Sequence, residues 1–357
     1  MQENRKKFSR FALLALENAA RFAFNLGFVI LFQLLFGADN TLTGVAIGVG
    51  LTLFPMADYG IRPLTMAGII LGLLVGGGAA AQLALAAPWI ALPLFFLFTL
   101  LLMALTCEPA QYKPSIVFLL TFVFCQATPV PAADFPRRML GITAAGALVA
   151  AVSLLCWRRR GWANEGRRTL GEQLRFCCTP KNRGLILRMS VGLALAMFIG
   201  MELHLKKPLW ISIVVMSLTQ LEFHDTLQRI KHRTVGTVLG GVLFVVVFQL
   251  LVPQEYGYWV ILLLGYLSFF TPKYKHKQIV NAVNAINASM VLFDATAAIR
   301  NRVLCLFGGI AIVLLLYLAE SRLRPLWRKL HAAAYHPQDG DSLRGLPEGS
   351  KFGVFSV

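Results

Sequence analysis

Residues 139–204 have the sequence MLGITAAGALVAAVSLLCW-RRRGWANEGRRTLGEQLRFCCTPKNRG-LILRMSVGLALAMFIGMELH, in which a basic stretch separates two apolar runs. The two runs, residues 139–157 and 185–204, are each close to the ~20 residues that a helix needs to cross a bilayer. Residues 158–184 between them carry eight basic and two acidic residues. The pattern predicts membrane-spanning helices on either side of a solvated basic linker.

The composition extends this interpretation to the whole chain. Its 357 residues are 57% hydrophobic and only 14% charged, whereas a soluble domain has roughly 25% charged residues. A soluble globular protein is thereby excluded, and so is a disordered one. Twelve apolar runs occur, at approximately 22–36, 41–56, 64–86, 89–106, 114–128, 139–157, 185–204, 209–221, 234–252, 256–271, 278–293 and 303–319. We therefore predict an all-α membrane protein with about twelve transmembrane helices.

The charge distribution predicts the orientation. The net charge is +17, and short cytoplasmic loops collect Lys and Arg. If the N-terminus is inside, only six of the 34 Lys and Arg residues lie outside. We expect a bacterial inner-membrane protein with both termini cytoplasmic. Its predicted parts are a first unit (1–157) with a basic N-terminal lead-in, the linker (158–184), a second unit (185–322) and a cytoplasmic tail (323–357). Basic residues scattered among loops do not indicate a nucleic-acid partner.

The two units resemble each other. Landmarks recur at offsets of 164 to 168 residues: Arg21 and Arg188, Gly68-x-x-x-Gly72 and Gly236-x-x-x-Gly240, Lys113 and Lys277, and Arg138 and Arg302. A nearly constant offset indicates duplication. Because each unit has an even number of spans, we predict two parallel six-helix repeats related by an axis along the membrane normal. Each glycine pair is expected to pack two helices closely.

Residues 206–241 contain the densest group of polar residues. The apolar run 209–221 covers only ~20 Å of a ~30 Å hydrocarbon core. Beyond it, Asp225, Arg229 and Arg233 are spaced by four and share one helix face. Two interpretations remain open, a cytoplasmic loop with a ladder of ion pairs, or a charged constriction at membrane depth that attracts anions.

Amides recur every three residues in the run 278–293. Asn281, Asn284 and Asn287 form a slanted stripe on one side of a helix. Such a stripe is expected to form interhelical hydrogen bonds or to line a water-filled path.

Intramembrane acids are scarce. Glu202, near the outer end of the run 185–204, is expected to pair with Lys206 or Lys207 at the interface, or to carry a proton. Asp225 is a second candidate for proton coupling.

Signatures of enzymes are absent from the sequence. It contains no G-x-x-x-x-G-K-[ST], H-E-x-x-H or G-x-S-x-G pattern. Its six cysteines include no C-x-x-C pair. We therefore expect no enzyme activity, no metal and no cofactor.

One segment resembles a known family. Trp210, Gln220 and Arg229-x-x-x-Arg233-x-x-Gly236-Thr237-x-x-Gly240 resemble the signature region of the fusaric acid resistance protein-like family. The short, all-membrane form is most similar to an uncharacterised branch of that family. The resemblance is specific over about 208–241. It implies export of small aromatic or other organic acids across the inner membrane, driven by the proton gradient, with a periplasmic adaptor of the membrane-fusion type as partner.

We therefore predict a proton-coupled efflux transporter for a small organic anion. Four arginines, one tryptophan and the amide stripe are predicted to contact that anion. The arginines Arg138, Arg229, Arg233 and Arg302 are predicted to attract the carboxylate, and Trp210 to stack on an aromatic ring. The stripe of Asn281, Asn284 and Asn287 would line the path, and Glu202 or Asp225 would carry the proton. The alternatives are a passive anion channel and a non-transporting membrane scaffold. A homo-oligomer is compatible with each of them.

Overall fold

The computed structural model describes residues 2–162, 164–205, 207–253, 256–270, 274–287 and 295–334, and the regular secondary-structure elements of these residues are helices. The helices are α1 (Gln2–Phe36), α2 (Thr41–Leu53), α3 (Pro63–Ala86), α4 (Pro88–Thr106), α5 (Ser115–Ala127), α6 (Phe135–Arg159), α7 (Leu170–Cys177), α8 (Pro180–Glu202), α9 (Leu209–Leu218), α10 (Phe223–Val245), α11 (Gly257–Leu267), α12 (Tyr274–Asn287) and α13 (Ala295–Ala334). The predicted all-α class is confirmed. The chain divides into two units, Met1–Leu316 and Tyr317–Val357, and the boundary falls within the residues of α13.

Seven of the described helical segments are long and apolar enough to cross a membrane. They are Ala12–Phe36, Pro63–Ala86, Pro88–Thr106, Phe135–Arg159, Pro180–Glu202, Phe223–Phe248 and Thr296–Leu323. Three shorter apolar helices accompany them, at Ser115–Ala127, Leu209–Leu218 and Trp259–Phe270. The chain is a multi-pass membrane protein by these criteria, and twelve spans remain a prediction.

The helices before and after α7 match only in part in their lengths. Six described helices precede α7 and six follow it. The second and fifth helices of each set are short, with 13 residues in both α2 and α5, 10 in α9 and 14 in α12. The fourth helices differ, with 19 residues in α4 and 11 in α11. The two-repeat arrangement remains a prediction.

The glycine pairs behave differently in the two halves. A Cβ at Gly236 would lie 2.7 Å from Gln278 Cβ, and one at Gly240 would lie 2.5 Å from Ala282 Cβ. This pair therefore packs α10 directly against α12, as expected. Around Gly68 and Gly72, no described atom lies within 4 Å of such a Cβ. The expectation of close packing is wrong for this first pair, because no described helix approaches that face of α3.

The linker is more than a solvated connection. Its helix α7 begins with a capping box between Thr169 and Glu172, and Gln173 and Cys177 are fully buried. Gln173 Nε2 donates hydrogen bonds to the carbonyl oxygens of Leu105 (3.0 Å) and Glu108 (3.1 Å). Carbonyls at the end of a helix need such partners because the helix itself provides none. The amide therefore attaches α7 to the end of α4.

An ion pair joins the same linker to the segment before α3. Arg167 donates two hydrogen bonds to Asp58, of 2.7 and 3.0 Å. These bonds hold the pKa of the Asp58 carboxyl below its ordinary value. Residue 168 continues the contact through a parallel bridge to Ile61.

The Asp58–Arg167 pair predicts a pH-dependent stability difference. A carboxyl whose pKa is lowered by folding stabilises the fold above its unfolded pKa, and the effect is lost as the pH falls through the folded pKa. Because the pair is partly exposed, it is worth at most about 1 kcal/mol. We expect Asp58→Asn to lower the thermal midpoint by about 2 °C at pH 7, with the difference lost as the pH falls through the lowered pKa of the folded Asp58. Glu165→Gln, an exposed acid of the same linker, should show no such difference; equal behaviour of both variants would contradict the assignment.

Candidate functional site

The candidate site is built around the short helix α9. Its ten residues cover only about 15 Å. The chain leaves the helix at Thr219, whose backbone is extended, and starts α10 after Glu222. Arg229 and Arg233 thus lie in the first three turns of α10, within the candidate span Phe223–Phe248. Arg233 is buried, with 3% of its surface exposed. The segment is helical and buries Arg233, while most residues from 222 to 228 are exposed.

Both arginines of α10 reach back to one residue at the end of α9. Arg229 Nη1 donates to the Ser217 carbonyl oxygen at 3.1 Å, and Arg233 Nη1 donates to Ser217 Oγ. Ser217 thereby fixes where these guanidinium groups lie. Ser217 could not be predicted from the sequence, because one serine in an apolar run is a weak signal.

The third arginine lies two turns away along α9. The Arg302 guanidinium carbon lies 5.0 Å from the centre of the Trp210 ring, within the range of a cation–π interaction. Both residues are buried. Trp210 and Ser217 are seven residues apart, so they share a face of α9 and are separated by about 10 Å. Close packing of α13 on α9 at Gly308, where a Cβ would lie 3.2 Å from Ile211, places Arg302 there.

The result is a row of three arginines, Arg229, Arg233 and Arg302, along one short helix, here called the arginine row. Arg302 lies close enough to Arg233 for their positive charges to repel each other. Within the part of the chain that the structure describes, Arg302 makes no ion pair. Burial of like charges costs free energy unless an anion or hydrogen-bond acceptors compensate them. The row is therefore suited to an anion.

Two buried polar atoms on the helices around the row lack hydrogen-bond partners among the described residues. They are Ser212 Oγ on α9 and Asn301 Nδ2, next to Arg302 on α13. A buried donor without an acceptor costs about 1–3 kcal/mol. Asn301 Nδ2 is thus a further donor that an anionic group could satisfy.

Arg138, the predicted counterpart of Arg302, is placed elsewhere. It is 1% exposed, and its guanidinium donates to Asn40 Oδ1 (2.5 Å) and to the carbonyl oxygens of Cys125 and Asp39 (3.1 Å each). A weaker bond reaches Thr128 Oγ1 at 3.4 Å. Its donors are occupied by residues of the first half, so the structure does not bring Arg138 into the arginine row.

The members of the amide stripe on α12 differ in their exposure to solvent. The buried face of α12 contains Ala282, Val283 and Ile286, while Asn281 is exposed. Asn284 is partly buried, and its Oδ1 has no hydrogen-bond partner among the described residues. The side chain of Asn287 lies outside the described part. Of the two members whose side chains are described, Asn284 is the one that faces the protein.

The two proton-coupling candidates are both on exposed positions. Glu202 ends α8, and Asp225 lies in the first turn of α10. Lys206, a predicted partner of Glu202, lies outside the described residues. Neither acid belongs to the arginine row.

Arg188, which matches Arg21 between the two units, also has a structural role. Arg188 on α8 is 7% exposed, and its Nη2 donates to the carbonyl oxygens of Gln220 and Leu221, at 3.0 Å each. It thereby supports the connection between α9 and α10. A lone basic residue inside the apolar run 185–204 was the available signal. Within the described residues, no group of three or more His, Cys, Asp or Glu could hold a metal ion.

One protein-family model matches the part of the chain that carries the arginine row. The family model described as fusaric acid resistance protein-like matches residues 195–316, about a third of the chain. The resemblance inferred from residues 208–241 is confirmed over this range. A stretch of 69 residues is 39% identical to the uncharacterised protein YhfK of Escherichia coli K12, which is 19% of this chain and 10% of that protein. The chain thus matches about a tenth of that relative's length. No solved structure matches significantly.

Proposed function

We propose that the chain is a membrane transporter for small organic anions and that the arginine row beside α9 binds the substrate carboxylate. One observation carries the proposal: three arginines from two helices lie along a single short helix, and two of them are buried. The matched family, whose description refers to fusaric acid resistance, supports transport over catalysis. The match covers the same residues as the row.

The chemistry of guanidinium favours a carboxylate. Its planar, permanently charged fork donates two parallel hydrogen bonds to the two oxygens of a carboxylate. A bound anion would compensate the neighbouring positive charges of Arg233 and Arg302. Asn301 precedes Arg302 on α13, and its buried Nδ2 has no hydrogen-bond partner among the described residues. An organic cation would gain none of these interactions.

The environment of Trp210 supports an aromatic substrate. Trp210 is buried below Arg302, so a carboxylate held by Arg302 would bring the attached group close to the indole. Aromatic rings stack on each other with a gain of about 0.5–1.5 kcal/mol beyond area burial. We therefore favour aromatic carboxylic acids within the class of organic anions.

Efflux across the bacterial inner membrane, with both termini cytoplasmic, completes the proposal. Glu202 and Asp225 are exposed and can carry the coupling proton. A periplasmic membrane-fusion adaptor and a homo-oligomeric assembly are the partners proposed from the resemblance.

Flux through vesicles tests the proposal. Purified full-length chain in proteoliposomes, with a pH-sensitive dye in the lumen, would be given a radiolabelled aromatic carboxylate that is fully ionised at pH 7.5. We expect saturable flux of the anion with a change of lumen pH, and no flux of a benzylammonium ion of similar size. Anion flux without a pH change would indicate the channel alternative. Equal fluxes of both ions, or none of either, would contradict anion transport, and the second result would favour a scaffold.

A further inference from the structure

A crevice of about 440 Å³ lies where α3 begins and α6 ends, away from the arginine row. It is lined by Pro63, Leu64, Leu154, Arg158, Gly161, Trp162 and Asn164. Both α3 and α6 are candidate membrane spans. The ends of two spans meet the linker here, so the crevice lies at the boundary between hydrocarbon and water.

The walls of the crevice differ in chemistry. Leu64 and Leu154 provide an apolar wall that continues along the two spans. Arg158, in the last turn of α6, is exposed and makes no hydrogen bond or ion pair through its side chain with any described residue. No acidic residue belongs to the lining. The crevice therefore combines one available positive charge with an apolar surface.

Trp162 forms a wall that is already fixed in place. The guanidinium carbons of Arg160 and Arg167 lie 5.2 and 5.5 Å from its ring centre. Arg160 is itself held by a 3.1 Å hydrogen bond to the Met56 carbonyl oxygen, and Arg167 by its ion pair with Asp58. A tryptophan at the end of a span is typical of the interfacial region of a bilayer.

We propose that this crevice binds an anionic phospholipid, with the phosphate at Arg158, the headgroup against Trp162 and an acyl chain along Leu64 and Leu154. The charge is complementary, since Arg158 is basic and the lining has no acid. Basic pockets between membrane helices recognise such headgroups. The apolar wall selects a lipid over a free anion, because only a lipid brings an acyl chain to cover it. The site is independent of the transport proposal.

Native mass spectrometry of the full-length protein in detergent tests the site. Phosphatidylglycerol and phosphatidylcholine with the same acyl chains would be added at equal mole fraction. We expect preferential retention of phosphatidylglycerol, reduced about fivefold in Arg158→Ala, because one basic residue near a headgroup contributes an effect of this size. Arg159→Ala is the matched control, since it removes the same charge from the adjacent, exposed position that does not line the crevice.

Three outcomes decide the proposal. Selective loss in Arg158→Ala but not in Arg159→Ala supports it. Equal loss in both variants would overturn it, because the effect would then reflect net charge alone. Displacement of the lipid by millimolar inorganic phosphate or by the aromatic carboxylate would also overturn it, because the crevice would then be a site for a soluble anion. A folding defect is detected by the thermal midpoint, and Trp162→Leu gives a second variant in which retention should fall.

Discussion

The Arg233→Ala chain is expected to transport an aromatic carboxylate at less than a tenth of the wild-type rate. The side chain is buried and held by Ser217 Oγ at the end of α9, so its guanidinium cannot be replaced by a neighbouring side chain moving in. A hydrogen bond to a charged group is worth about 1.5–3 kcal/mol, which corresponds to roughly tenfold to a hundredfold in rate or affinity. The measurement is efflux from a deletion strain that carries the variant at wild-type protein level.

Two further variants separate binding from folding. Arg233→Lys keeps the charge but loses the bidentate fork, so we expect a raised half-saturation concentration with partial activity. Lys231→Ala removes a cation from an exposed position of the same helix, and its activity should match that of the wild type. Full export by Arg233→Ala would remove this residue from the mechanism. Loss of export together with a large fall in thermal midpoint would assign it a structural role.

The sequence predicted much of the arginine row for identifiable physical reasons. Spacing by four placed Arg229 and Arg233 on one face, and the shortness of the run 209–221 indicated that the polar segment enters the protein. Trp210 was selected from the family resemblance. The sequence could not specify contacts between residues that lie far apart in the chain. Arg302 lies over Trp210, and Arg188 supports the connection between α9 and α10. Such contacts depend on tertiary packing and leave no local periodicity.

Arg138 shows why an offset alone does not transfer a role. It and Arg302 match as landmarks, and both are buried. In the first half, Asn40 and the Asp39 carbonyl accept hydrogen bonds from Arg138. At an offset of 168, the second half has Pro208 in place of Asn40, and a proline side chain cannot accept the hydrogen bond that Asn40 Oδ1 accepts from Arg138. The surroundings of Arg302 are therefore free to serve another purpose.

The two glycine pairs also match in sequence but differ in their surroundings. Substitution by alanine is therefore expected to change the thermal midpoint in opposite directions in the two pairs. Gly240→Ala should lower the thermal midpoint in detergent by about 5 °C. The new Cβ would lie 2.5 Å from Ala282 Cβ and 3.0 Å from the Ile279 carbonyl oxygen, and backbone atoms cannot move away without separating α10 from α12. Overpacking costs up to ~3 kcal/mol, which outweighs the ~1 kcal/mol that alanine gains over glycine in a helix. The net loss of stability lowers the thermal midpoint by ~2–4 °C per kcal/mol.

Gly72→Ala, at the matching landmark in α3, should raise the midpoint by about 2–4 °C, because only the gain in helix propensity remains. No described atom lies within 4 Å of the added Cβ. The two variants make the same chemical change at corresponding positions, so their difference isolates the contact with α12. A fall of similar size in both variants would mean that Gly72 also packs against a helix, for example in a second copy of the chain. Unchanged midpoints in both would contradict the close approach of α10 to α12.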